Sequence, residues 1–231
     1  MSLITTTISL ALVDAVNPCA LAVMAIMLTA LLFKNPKNRS RVLIGGLMFT
    51  LAVFILYFLY GAILVQFFSH LIPETSLYSL YIFKGFGILA ILLGLLNLKD
   101  FLNYKPGGVG TEMPIFMRPK VKALINKATS PAGAFIVGLF VTIFLLPCTI
   151  GPYIIASGNL SQLSFYQTIP LLLLYNLIFI LPMIAITLVI YLGLTTVENV
   201  SGWKEKNTRY LHLVEALILI ILGILMFTGI I

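Results

Sequence analysis

Residues 42–68 read VLIGGLMFTLAVFILYFLYGAILVQFF, with no charged side chain in the whole stretch. About 20 apolar residues cross the hydrocarbon core of a bilayer, whereas a helix on a soluble core carries a polar face at a period near 3.6. The stretch is therefore a membrane span. Five more apolar stretches, at residues 4–33, 77–98, 131–157, 168–194 and 210–230, extend the pattern to an all-α integral membrane protein with six transmembrane helices. Composition agrees: 61% of the 231 residues are hydrophobic and 9% charged, against about half and about a quarter in a soluble domain. A soluble enzyme, a nucleic-acid-binding domain and a disordered linker are excluded. The first stretch has full spanning length and no basic leader before it, so it is expected to remain in the membrane.

The net charge of +7 reports orientation. Lys34, Lys37, Arg39 and Arg41 follow the first stretch; Lys99, Lys105, Arg118, Lys120, Lys122 and Lys127 follow the third; Lys204, Lys206 and Arg209 follow the fifth. The other two connections are poor in positive charge. Cytoplasmic loops carry the excess of lysine and arginine, which predicts a multi-pass protein of the cell membrane with both termini outside the cytoplasm.

Sliding the chain against itself by 129 residues lays Pro18-Cys19 on Pro147-Cys148, and Ile91–Leu96 on Ile220–Leu225. The predicted organisation is a first three-helix unit at residues 1–98, a cytoplasmic loop at 99–129, and a second unit at 130–231. An odd number of spans per unit makes the second enter the membrane from the opposite face, as in inverted-repeat transporters.

Cys19 and Cys148 are the chain's only cysteines. Proline lacks an N–H and suits the first position of a helix. Each cysteine would then sit at a helix amino terminus, where free N–H groups and the positive dipole end favour the thiolate. Asn17, Pro18, Pro147, Gly151 and Pro152 are the expected helix-breaking residues around the two thiols. Burial as inert small hydrophobes is the competing reading. No cofactor is called for, and no metal either: structural zinc needs four ligands, and the only histidines, His70 and His212, fall toward opposite faces.

With those residues in view, the whole chain resembles the CcdA family, which is similar to the membrane domain of the DsbD reductase. Pro147-Cys148-Thr149-Ile150-Gly151-Pro152 carries the resemblance most specifically, and Asn17-Pro18-Cys19 matches the family's first cassette, although Ala20-Leu21-Ala22-Val23 follows Cys19 where the family often has another proline. The resemblance implies a thiol:disulfide oxidoreductase. A reversible Cys19–Cys148 disulfide would carry reducing equivalents from cytoplasmic thioredoxin to an extracytoplasmic thioredoxin-like protein, in support of cytochrome c maturation. The rival expectation is a small exporter or ion transporter with incidental cysteines.

Two charges fall within the spans. Asp14 and Lys84 either pair beside the cavity and tune it, or stand apart, with Lys84 reaching outward to the interface and Asp14 held by a hydroxyl. Tyr175, Asn176 and Asn97 are expected to bond between helices, and Gly45, Gly46, Gly85, Gly87 and Gly94 to admit close helix approach.

Overall fold

The computed structural model describes residues 3–16, 18–34, 39–71, 77–103, 115–125 and 130–228, with Pro18, Pro147 and Cys148 described by their backbone alone. All regular structure among them is helical: α1 (Leu3–Ala15), α2 (Pro18–Lys34), α3 (Arg39–Leu71), α4 (Leu77–Leu102), α5 (Arg118–Ile125), α6 (Pro131–Leu160), α7 (Phe165–Tyr191) and α8 (Val197–Phe227). Lipid leaves the backbone no outside hydrogen-bond partner, so helices are the form that satisfies it within one segment.

The first predicted span is two helices. After the last bond of α1, from the Val16 N–H to the Leu12 carbonyl at 3.2 Å, the chain bends by 48° into α2. Pro18 opens α2, where its missing N–H costs nothing. Among the described residues four helices are long and apolar enough to cross a membrane, over Arg39–His70, Lys84–Leu102, Tyr166–Tyr191 and Glu205–Phe227, and the bent pair makes a fifth if it is one span. The fourth predicted span contributes a shorter apolar run, Pro131–Leu145, within the longer α6. The expected count of six is therefore met only to four or five among the described residues.

Polarity is arranged opposite to that of a soluble bundle. Leu47, Leu51, Ile55, Leu59 and Ile63 form an exposed stripe along α3, and Leu217, Ile221 and Ile224 another on α8. Asp14, Thr50, Asn97, Thr142, Thr149, Asn176, Thr187, His212 and Glu215 are buried. Threonines inside the bundle return their hydroxyls to the preceding turn: Thr50 to Gly46 at 2.9 Å, Thr142 to Gly138 at 2.7 Å, and Thr187 to Met183 at 2.8 Å.

Helix α3 lies between α6 and α7, α1 packs on α7 and α6, and α4 packs along α8. Glycine sets the closest approach. A Cβ on Gly87 would come within 2.9 Å of the Gly223 carbonyl oxygen, and one on Gly223 within 2.7 Å of the Gly87 carbonyl oxygen. One turn pair further on, a Cβ on Gly94 would meet the Ala216 carbonyl oxygen at 3.1 Å, so the two helices run antiparallel.

Two differences from the sequence reading matter. The expected interruption at Pro147 is absent, because α6 continues through Pro147, Gly151 and Pro152 to Leu160. Membrane helices tolerate proline where neighbouring groups bond the freed carbonyls, and Gly151 instead lets Leu93 of α4 approach to 2.4 Å of a would-be Cβ. Within the predicted cytoplasmic loop, α5 forms with Val121 and Ile125 buried while Arg118, Lys120 and Lys122 remain exposed. Its apolar pair is too short a run to register as a span.

Candidate functional site

Tyrosines cluster inside the bundle, where a ring can be buried only if its hydroxyl finds a partner. Tyr175 of α7 donates to Asp14 Oδ2 of α1 at 3.1 Å. The other oxygen of Asp14 has no hydrogen-bond partner among the described residues, and the Glu215 carboxyl of α8 is near enough to act on Asp14 electrostatically. Tyr153 of α6 donates to the Tyr57 carbonyl of α3 and meets Asn176 of α7, whose amide donates to its hydroxyl at 3.3 Å and to the Leu172 carbonyl at 2.8 Å. The Tyr57 hydroxyl and Thr149 share a 2.5 Å hydrogen bond, and the Tyr57 ring stacks on Phe179 with centroids 4.6 Å apart. Beside this network, His212 Nδ1 of α8 lies 2.8 Å from Asn97 Oδ1 of α4 and 3.6 Å from Glu215 Oε2. These bonds join α1, α3, α6 and α7, and α4 to α8. They hold the helices in register and keep Asp14 at depth.

Cys19 is buried at 7% exposure in the apolar core. Asn17, and the side chains of Pro18, Pro147 and Cys148, lie outside the described residues, so a Cys19–Cys148 bond does too. Lys84 Nζ stands 5.9 Å from the centre of the Phe227 ring, while Asp14 is held by Tyr175. Among the described residues no three His, Cys, Asp or Glu side chains gather as a metal would require. Tyr57 and Tyr153 went unread, and Thr149 was read only as part of a motif, although a tyrosine inside an apolar span, with a hydroxyl to satisfy, is itself the signal.

Next to the α1–α2 break lies a partly open cavity of about 540 Å3. Ala15, Val16 and Leu21 wall it on the break side, Pro182, Ala185 and Ile186 on α7, and Val200, Trp203 and Leu211 on α8. Among the described residues no charged side chain lines it; Thr195 and Asn199 supply its polar groups. Trp203, the chain's single tryptophan, is 55% exposed. Sequence reading had no means of finding this cavity, since ordinary apolar residues line it and only the bend makes it hollow.

A second pocket, of about 240 Å3, shares Thr195 with the first. Arg39, at the start of α3, lines it with Tyr191, Gly193, Thr196 and Glu198. Gly193 has φ +71°, and a Cβ there would fall 2.8 Å from a guanidinium nitrogen of Arg39. Only glycine adopts that backbone freely, and its bare Cα leaves the space that Arg39 occupies.

A family model described as SfLAP, "Sap, sulfolipid-1-addressing protein", matches residues 8–230. No curated protein and no solved structure matches the chain. The family match takes in both Pro-Cys pairs and overturns the resemblance to the CcdA family. With that resemblance falls the thiol–disulfide electron conduit, together with its thioredoxin partners and its role in cytochrome c maturation. Two proline–cysteine pairs in leucine-rich spans are too little to specify redox chemistry, because buried cysteine also serves as a small hydrophobe.

Proposed function

This chain belongs to the SfLAP family, and we propose that it addresses a lipid, holding an acyl chain of a membrane amphiphile in the cavity at the α1–α2 break. The observation that carries this reading is the cavity itself: about 540 Å3, walled by apolar side chains and placed where a span is broken. Ligand pockets of small molecules occupy roughly 300–1,000 Å3. Broken helices are tolerated at membrane depth where they line a cavity. The family's namesake is described as addressing sulfolipid-1; for this chain the class proposed is an amphiphile with at least one long acyl chain.

The proposed frame is six spans in two inverted units, with the loops at 34–41, 99–129 and 195–209 on the cytoplasmic side. The α4–α8 register is compatible with it. A shift of 129 residues carries Gly87 to Ala216 and Gly94 to Gly223, so the Gly87–Gly223 approach becomes the Gly94–Ala216 approach. Any antiparallel pair in contact at Gly87 and Gly223 would meet again there two turns on, so the support for the inverted units remains the matched Pro-Cys positions. Charge asymmetry then puts the cavity, which reaches Thr195 and Trp203, toward the cytoplasmic leaflet.

Native mass spectrometry of the detergent-purified chain tests the reading. Ala185 lines the cavity, whereas Leu188 is an exposed residue of the same helix that does not. A co-purifying lipid adduct should be lost in Ala185→Trp and kept in Leu188→Trp. Equal retention in both variants, or no adduct on the unaltered chain, contradicts the proposal.

A further inference from the structure

The apolar cavity accounts for a lipid's chain and leaves its headgroup unplaced. The smaller pocket adjoins it at Thr195 and differs from it in chemistry. One wall carries Arg39, and Thr195 and Thr196 add hydroxyls. A guanidinium presents a fixed fork of donors that fits phosphate or sulfate oxygens. Gly193 leaves room for that guanidinium: any side chain at φ +71° would be strained, and its Cβ, 2.8 Å from the end of the Arg39 side chain, would push it aside. The amino-terminal turns of α3 and α8 both contribute to the pocket, through Arg39 and Glu198, and their positive dipole ends add to the field. Glu198 is the one acidic residue lining it among the described residues, and its carboxylate opposes an anion there.

We infer that the pocket at Arg39 and Gly193 receives the anionic headgroup, a phosphate or sulfate ester, of the amphiphile whose acyl chain fills the neighbouring cavity. The inference rests on the lipid reading above and adds to it a charge preference and the residues that set it. Arg39 and Glu198 act in opposite senses: the first draws the headgroup in, the second weakens its hold.

The chain carries its own reporter. Trp203 lines the acyl cavity and is the only tryptophan, so a lipid with a brominated acyl chain quenches its emission when that chain enters. The purified full-length chain in neutral detergent is titrated with brominated phosphatidylglycerol, with brominated phosphatidylcholine, and with inorganic phosphate and sulfate alone. Saturable quenching by the anionic lipid should occur at lower concentration than by the zwitterionic one. Arg39→Gln should weaken the anionic lipid about tenfold, the loss expected for one charge-assisted contact, and the zwitterionic lipid, whose choline already offsets its phosphate, by less. Gly193→Ala should act in the same direction, and Glu198→Gln should tighten the anionic lipid. Inorganic anions at millimolar concentration should not displace the bound lipid.

Equal affinity for both lipids, unaltered by Arg39→Gln, overturns the headgroup site while leaving the acyl cavity standing. Displacement of the lipid by inorganic phosphate or sulfate at those concentrations overturns it too, since the pocket would then be a site for free anions. Absence of saturable quenching by either lipid overturns the acyl cavity and the headgroup site together. Should Arg39→Gln fail to fold, the Glu198→Gln titration decides: a tightening specific to the anionic lipid upholds the site, and no change overturns it.

Discussion

Asp14 is fully buried, with one carboxylate oxygen bound to the Tyr175 hydroxyl. An ionisable group at membrane depth is costly and persists where it faces protein partners. Tyr175→Phe removes the donor and leaves the carboxyl without that bond, which should lower stability by about 1–3 kcal/mol, read by thermal unfolding in detergent. Asp14→Asn keeps an acceptor for the hydroxyl and should cost less. The double variant should be less destabilised than the sum of the single ones; strict additivity would mean that the two groups do not depend on one another. The polar partners were partly readable from sequence, because Tyr175, Asn176 and Asn97 are hydrogen-bonding groups stranded in apolar runs and the structure ties each to another helix. Which partner each would find was not readable, since it depends on helix rotation. Lys84 illustrates the point: one span holds it and another holds Asp14, yet Lys84 meets the Phe227 ring of α8.

Among the elements, α4 and α8 come closest, backbone to backbone through Gly87 and Gly223. Small residues at helix contacts take the place in lipid that apolar burial holds in water. Gly223→Ala should therefore lower the melting temperature, because its Cβ meets the Gly87 carbonyl at 2.7 Å and backbone cannot move aside cheaply. Gly85→Ala places a Cβ where nothing lies within 4 Å, and alanine favours a helix over glycine by about 1 kcal/mol, so that variant should be neutral or slightly more stable. A larger loss at Gly85 than at Gly223 would contradict the packing described. Apolar length was enough to locate α3, α4, α7 and α8 in the sequence. It was not enough to divide the first span into α1 and α2, although Pro18 marked the place, and it misjudged Pro147, where α6 runs on. The two prolines are alike in sequence, yet Pro18 opens a helix and Pro147 lies within one. The short helix α5 escaped notice because its buried face amounts to Val121 and Ile125.

For the whole molecule, the proposed orientation, with the positive loops on the cytoplasmic side, would set the cavity at the helix break and the Arg39 pocket toward one leaflet. Reporters inserted at Gly108 and at Glu74 should fall on opposite sides of the membrane, the first cytoplasmic, and a shared compartment would overturn the six-span arrangement. The membrane class was legible because lipid as solvent puts apolar side chains on the outside. The function was not, because a cavity made by a bend has no sequence pattern of its own, and the Pro-Cys pairs drew attention to sulfur chemistry instead. The central claim, an acyl chain in the cavity at the helix break, is tested most directly by a photoactivatable fatty-acyl phospholipid cross-linked to the protein in bilayers, followed by peptide mapping. The account predicts adducts concentrated at residues 15–21, 182–186 and 199–211, with competition by unlabelled lipid. Adducts spread evenly along the exposed stripes of α3 and α8, without competition, would contradict it.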